Sequence, residues 1–151
     1  MKIAVCCDHG GLTLKQAVVR YLNEKGYEVV NFGTDTFDSC DYPDFALKAA
    51  EAVASGECEK GVFVCTTGIG ISIAANKVPG IRCCALCSEP LSAKMTRLHN
   101  DANILALGGG MVGVNLGLDI VETFLSTPFS GEAKHQRRID KITAIEQKYS
   151  K

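Results

Sequence analysis

The chain lacks a charge imbalance: 16 lysines and arginines against 17 aspartates and glutamates leave a formal net charge of −1. Without a run of like charge it offers neither a basic arm for nucleic acid nor an acidic tail. Long hydrophobic stretches are missing too. No apolar segment approaches the roughly 20 residues that span a bilayer, so no membrane partner is expected. The opening residues Met1-Lys2-Ile3-Ala4-Val5 read directly into a strand rather than a signal peptide, which predicts a cytoplasmic protein. Low-complexity tracts, internal repeats and an interdomain linker are absent. The 151 residues are therefore expected to form one domain, 1–151.

What is plentiful is cysteine, with eight in the chain: Cys6, Cys7, Cys40, Cys58, Cys65, Cys83, Cys84 and Cys87. A secreted disulfide scaffold would be short, loop-rich and poor in core residues, and this chain is none of these. Cys84 and Cys87 have Cys-x-x-Cys spacing but lack the second ligand pair of a structural zinc site, so no metal is expected. A thiol-redox or metal protein is nonetheless one reading the cysteine count allows. Most of the eight read as small buried hydrophobes. Cys65 is set apart by its position.

Apolar runs alternate with helical spacing along the chain. Strands are expected at Ile3–Cys7, Glu28–Phe32, Gly61–Cys65, Ile81–Cys87 and Asn103–Leu107. Helices are expected between them and after the last: through Leu14, Val18, Tyr21 and Leu22 up to a Gly26 cap, from Pro43, from Ile69 to Val78, from Glu89-Pro90 to His99-Asn100-Asp101, from Val112 to Leu125, and from Lys134 to Tyr149. Strands joined by single helices imply right-handed crossovers and a parallel sheet covered on both faces. The fold class is therefore α/β, a Rossmann-like doubly wound α/β/α sandwich with a five-stranded parallel sheet.

Such sheets place their chemistry where strands end. The first strand delivers Asp8 and His9, and the third delivers Cys65, Thr66 and Thr67 ahead of Gly68 and Gly70. Free amides at the start of the following helix make that turn a cradle for an anion. A glycine-spaced turn also superficially suits a nucleotide-binding module. However, Ile73 stands where the dinucleotide pattern needs its third glycine. From the residues alone, bland roles stay open: Cys65 as a core cysteine, Asp8-His9 as a turn pair capping a helix, and His99 answering a helix dipole. His135 reads as an exposed helix histidine, and Arg137-Arg138 as a solvated face.

Taken in order, Asp8-His9-Gly10-Gly11, Asp41-Tyr42-Pro43-Asp44-Phe45-Ala46, Cys65–Lys77, Pro79-Gly80-Ile81-Arg82, Ser88-Glu89-Pro90 and His99-Asn100-Asp101-Ala102-Asn103 form a series. This series resembles the ribose-5-phosphate isomerase B and galactose-6-phosphate isomerase family, and most resembles its ribose-5-phosphate branch. The resemblance extends through His135-Gln136-Arg137-Arg138 to Ile145-Glu146. It implies an aldose–ketose isomerisation of a sugar phosphate without cofactor or metal. Cys65 would be the base acting through a cis-enediolate, and the amides of residues 66 to 70 would hold its oxygens. The resemblance assigns Thr67 to protons on the sugar oxygens, His99 to ring opening, and Asp8 to ring or chain hydroxyls. Tyr42, Thr66, Gly68, Gly70 and Asn100 would contact the sugar. His9, Lys134, Arg137 and Arg138 would take the phosphate, with Arg138 favoured by its match. It also implies a homodimer, or a tetramer, with sites shared between subunits through the last helix.

Three positions depart from the family pattern. Gly110 stands where an arginine is common, Lys134 precedes the His-Gln pair where arginine is usual, and Thr66 replaces a glycine of the anion loop. The loss of two guanidinium forks weakens the case for one particular sugar. It leaves open another aldose phosphate, such as allose or galactose 6-phosphate.

Overall fold

The structure, a computed structural model, describes residues 1–85 and 87–150. Five strands, β1 (Lys2–Cys7), β2 (Glu28–Asn31), β3 (Lys60–Cys65), β4 (Cys83–Cys84) and β5 (Ile104–Gly108), form one sheet in the order β2-β1-β3-β5-β4. Every pairing is parallel. Six helices connect and follow them: α1 (Leu12–Glu24), α2 (Tyr42–Ala54), α3 (Ile69–Ala75), α4 (Pro90–Asn100), α5 (Val114–Ser126) and α6 (Ala133–Tyr149).

Alternation of side chains along each strand builds two cores. Ile3, Val5, Val62, Val64, Leu105 and Leu107 face one way, packing with Leu14 and Val18 of α1, Ala93 of α4 and Ile120 and Phe124 of α5. Ala4, Cys6, Phe63, Cys65 and Ala106 face the other way, against Ala46, Ala49 and Ala50 of α2 and Ile71 and Ala75 of α3. Small residues on this second face let α2 and α3 lie close to the sheet. The chain leaves β1 toward β2 and then returns to β3 on the other side. The carboxyl ends of β1 and β3 thus flank a switch-point crevice.

Two elements are shorter than their sequence signal. The fourth strand, expected over 81–87, pairs with β5 only at Cys83 and Cys84; Leu86 of that run lies outside the described residues. As the sheet's edge it has one neighbour, and the turn before it spends its polar groups on side chains. Asn76 brackets Cys83, donating to its carbonyl and accepting from its amide at 2.9 and 2.8 Å. The third helix stops at Ala75 rather than Val78, because the Lys77 and Val78 amides close back three residues, on Ala74 and Ala75, in place of the four-residue bonds that would continue it.

The direction of α4 matters most for function. It starts above the carboxyl end of β4, with Glu89 capping the Ser92 amide, and runs down to the amino edge of the sheet. Its last residues are locked there. Asp101 closes the helix at φ 44°. Arg97, 6% exposed, donates to the Asp101 carboxylate at 2.8 Å and to the carbonyls of Ala102 and Thr127. Arg82 donates to the Asn100 and Asp101 carbonyls. The Asn103 carbonyl accepts from Gly61 at the start of β3.

Candidate active site

At the carboxyl edge, the thiol of Cys65 lies at the end of β3 and is 4% exposed. The chain then turns through Gly68 at φ +78°, which folds the Gly68 N–H back onto Cys65 Sγ at 3.1 Å. Gly68 is required twice over: for its left-handed backbone and because a Cβ there would sit 2.9 Å from the Leu107 carbonyl carbon. Gly68→Ala is therefore expected to cost about 1–3 kcal/mol through backbone strain alone, read as a lower urea midpoint, with loss of turnover as the thiol's partner moves.

Thr67 Oγ1 accepts the Ile69 N–H at 3.2 Å, leaving its hydroxyl proton free. With the Gly68 and Ile69 amides so used, Gly70 and Ile71 keep the first-turn N–H groups that have no intrahelical partner. Since α3 spans only 7 residues, the cradle consists of local amides rather than a long helix dipole. Gly108, which ends β5, and the two glycines after it close its far wall. Gly109 and Gly110 donate to the carbonyls of Cys65 and Thr66 at 2.8 and 2.9 Å.

The side chain of Thr66 is wedged between two glycines. A Cβ on Gly10 would fall 2.0 Å from its Oγ1, and one on Gly110 would fall 3.2 Å from its Cγ2. Two of the departures noted in the sequence, Thr66 and Gly110, are thus in contact, and the threonine methyl takes up part of the room the missing side chain leaves.

Asp8 and His9 join this edge from β1. Asp8, 6% exposed, uses Oδ1 to cap the amides of Gly10 and Gly11 at 3.0 and 3.1 Å. Its capping role is therefore real, and Oδ2 is the oxygen left for a ligand. His9 Nδ1 accepts the Cys40 N–H at 3.3 Å. This places the ring proton on Nε2. The loop carrying Cys40 is held by buried Lys15, whose Nζ meets Asp35 Oδ1 at 2.6 Å. That contact keeps the Asp35 carboxyl below its ordinary value. Tyr42, at the start of α2, lies across Gly70: a Cβ there would come within 2.7 Å of the phenol oxygen.

The remaining expected residues stand at the other edge. His99 and Asn100 end α4 just before Asn103, whose carbonyl pairs with Gly61; Gly61 is four residues below Cys65, or about 13 Å at the rise of a strand. The amino-terminal part of α6 joins them. His135 is not exposed: it is 3% accessible, its ring centroid is 4.2 Å from that of His99, and its Nδ1 is 2.9 Å from Ser130 Oγ. Its isolated place in a polar helix gave no sign of this, although its adjacency to Arg137-Arg138 in the motif could have. Lys134 is taken up by Glu132 at 2.9 Å, which lowers that carboxyl from its usual value. Arg137 and Arg138 are exposed and form no ion pair among the described residues.

The expected site residues of one chain are therefore divided between two edges of the sheet. Cys65, Thr66, Thr67, Gly68, Gly70, Asp8, His9 and Tyr42 gather at the carboxyl edge, and His99, Asn100, Lys134, Arg137 and Arg138 at the amino edge. Among the described residues no three metal-binding side chains converge, and no helix is long and apolar enough to cross a membrane.

A model of the family described as ribose/galactose isomerase matches residues 3–142. Ribose-5-phosphate isomerase B of Escherichia coli K12 is 49% identical over 147 residues, 97% of each chain. The solved ribose-5-phosphate isomerase B of Clostridium thermocellum is 57% identical, with a TM-score of 0.96 over 99% of this chain and 100% of that one. The Mycoplasma genitalium enzyme, solved with bound ribulose 5-phosphate, is 40% identical, with a TM-score of 0.91 over 97% and 96% of the two chains. With its parallel sheet, its thiol-bearing turn and this similarity along nearly all its length, the chain belongs to the ribose/galactose isomerase family.

Proposed function

We propose that the protein is an aldose–ketose isomerase interconverting ribose 5-phosphate and ribulose 5-phosphate. The observation that carries the reading is the Cys65 thiol held by the Gly68 amide at the switch-point crevice, beside the first-turn amides of α3. In this reading Cys65 takes the C2 proton of the opened aldose and returns it to C1. The Gly70 and Ile71 amides hold the oxygens of the cis-enediolate between the two steps, in a pocket where fixed donors outperform water. The hydroxyl of Thr67, its oxygen already occupied by Ile69, passes the proton from O2 to O1. Asp8 Oδ2, Tyr42 and Asn100 bind sugar hydroxyls, and His99 protonates the ring oxygen as the furanose opens.

The phosphate is met by His9 Nε2 and by the forks of Arg137 and Arg138, with Lys134 contributing once it leaves Glu132. Because the two half-sites lie at opposite edges, a working centre joins the carboxyl edge of one copy to the amino edge of another. This supports a homodimer, with a tetramer built from it. All eight cysteines are free, which suits a reducing cytoplasm, and the activity is assigned to one domain, 1–151.

A panel of pentose and hexose phosphates assayed for aldose–ketose conversion tests the proposal. The expected result is highest kcat/KM with ribose 5-phosphate. A preference for a six-carbon aldose phosphate would overturn the substrate, and no turnover on any would overturn the reaction.

A further inference from the structure

Cys84 and Cys87 take no part in the chemistry above, yet their sulfurs stand 3.4 Å apart at the end of β4. Cys87 is 2% exposed, in the core beneath α4, while Cys84 is only half-buried and lines a cleft of about 710 Å³ between β4, α4 and α6. One thiol is thus reachable and its neighbour is screened. The two thiols share a hydrogen bond and Thr96 adds a second to Cys84, which together bring the Cys84 thiol down from its ordinary value. The same shared hydrogen bond, together with burial in the core, pushes Cys87 up. Glu89, the charge facing both, opposes ionisation of either. Burial instead raises Cys6, Cys7, Cys58 and Cys83, which suits them to packing.

We propose that Cys84 and Cys87 are a redox-active dithiol that reacts with small disulfides to form an intrachain disulfide, a modification site whose thiols take no part in the isomerase chemistry. The Cys84 thiolate attacks one sulfur of the small disulfide, forming a mixed disulfide and expelling a thiolate. Cys87 then gives up its proton to solvent and attacks the Cys84 sulfur, expelling the second small thiolate. Two protein thiols are oxidised, one small disulfide is reduced to two thiols, and no other reactant is needed. Bond formation requires the sulfurs to close by about 1.4 Å to reach disulfide length. Screening of Cys87 sets the order of the steps, as nucleophilicity follows access and thiolate character.

The test is to incubate the native protein with excess glutathione disulfide, block remaining thiols by alkylation, and map the peptides by mass. The expected product is a Cys84–Cys87 cross-link, formed at least about tenfold faster than any adduct on half-buried Cys40. In Cys87→Ser the reaction should stop at glutathione on Cys84, and in Cys84→Ser Cys87 should stay a free thiol. If the native protein retains both thiols under conditions that modify Cys40, or if glutathione is first found on Cys87, the proposal fails. The native-protein measurement decides even if neither variant folds.

Discussion

Replacing Cys65 by alanine is expected to lower kcat by about 10²–10⁴, the range over which a positioned base contributes, while the protein stays folded. The thiol is nearly enclosed, but its loss removes a single heavy atom from the core of α2, α3 and the sheet. The larger stability cost is the Gly68 N–H left without its partner, about 1–3 kcal/mol. Circular dichroism and a urea titration would show a native fold with a lowered midpoint. A coupled assay with ribose 5-phosphate would show the loss of rate.

Alanine alone does not separate a base from a support for the loop, since Sγ also anchors Gly68. Cys65→Ser does. A hydroxyl still accepts the Gly68 N–H and so preserves the turn, but it is a far poorer base than a thiolate at neutral pH. The serine variant is therefore expected to recover most of the lost stability and little of the rate. Recovery of rate in step with stability would mean that Cys65 merely holds the turn and that another group moves the proton.

The carboxyl-edge half of the proposed site was legible because its local geometry follows from local rules. A buried strand that stops at Cys65, then two threonines and two spaced glycines, encodes its own turn, and Asp8-His9 does the same after β1. What the sequence concealed depends on long-range packing. Ile81 to Cys87 reads as a full strand from its apolar run, but at the sheet's edge only Cys83 and Cys84 are paired among the described residues. His135 reads as a surface residue because its neighbours Lys134, Gln136, Arg137 and Arg138 are all polar. Its burial comes from His99 and Ser130, which belong to other elements. The separation of His99 from Cys65 is likewise a matter of topology: a crossover helix antiparallel to the strands must end at the edge opposite the one where they finish.

That separation leads to the second large expectation. If each centre joins the carboxyl edge of one copy to the amino edge of another, Cys65→Ala and His99→Ala damage different contributors to the same site. Each variant alone carries a lesion in every centre and is expected to fall by about 10² or more. Co-expressed, they also form mixed pairs. In a two-fold symmetric pair, each copy lends its amino edge to the other, so one centre collects both lesions and the other collects none. With random pairing, half the molecules are mixed and each has one intact centre, giving roughly a quarter of wild-type turnover. Purification through two different tags, one on each chain, should raise this to about half. Were the centre completed within a single chain, every centre in the mixture would still hold one lesion, and activity would stay at the level of the separate variants. Arg138→Ala should complement Cys65→Ala in the same way and fail to complement His99→Ala, since Arg138 and His99 lie on the same edge of one chain. This pattern distinguishes a shared centre from general stabilisation of the variants by association, which would rescue all three combinations alike.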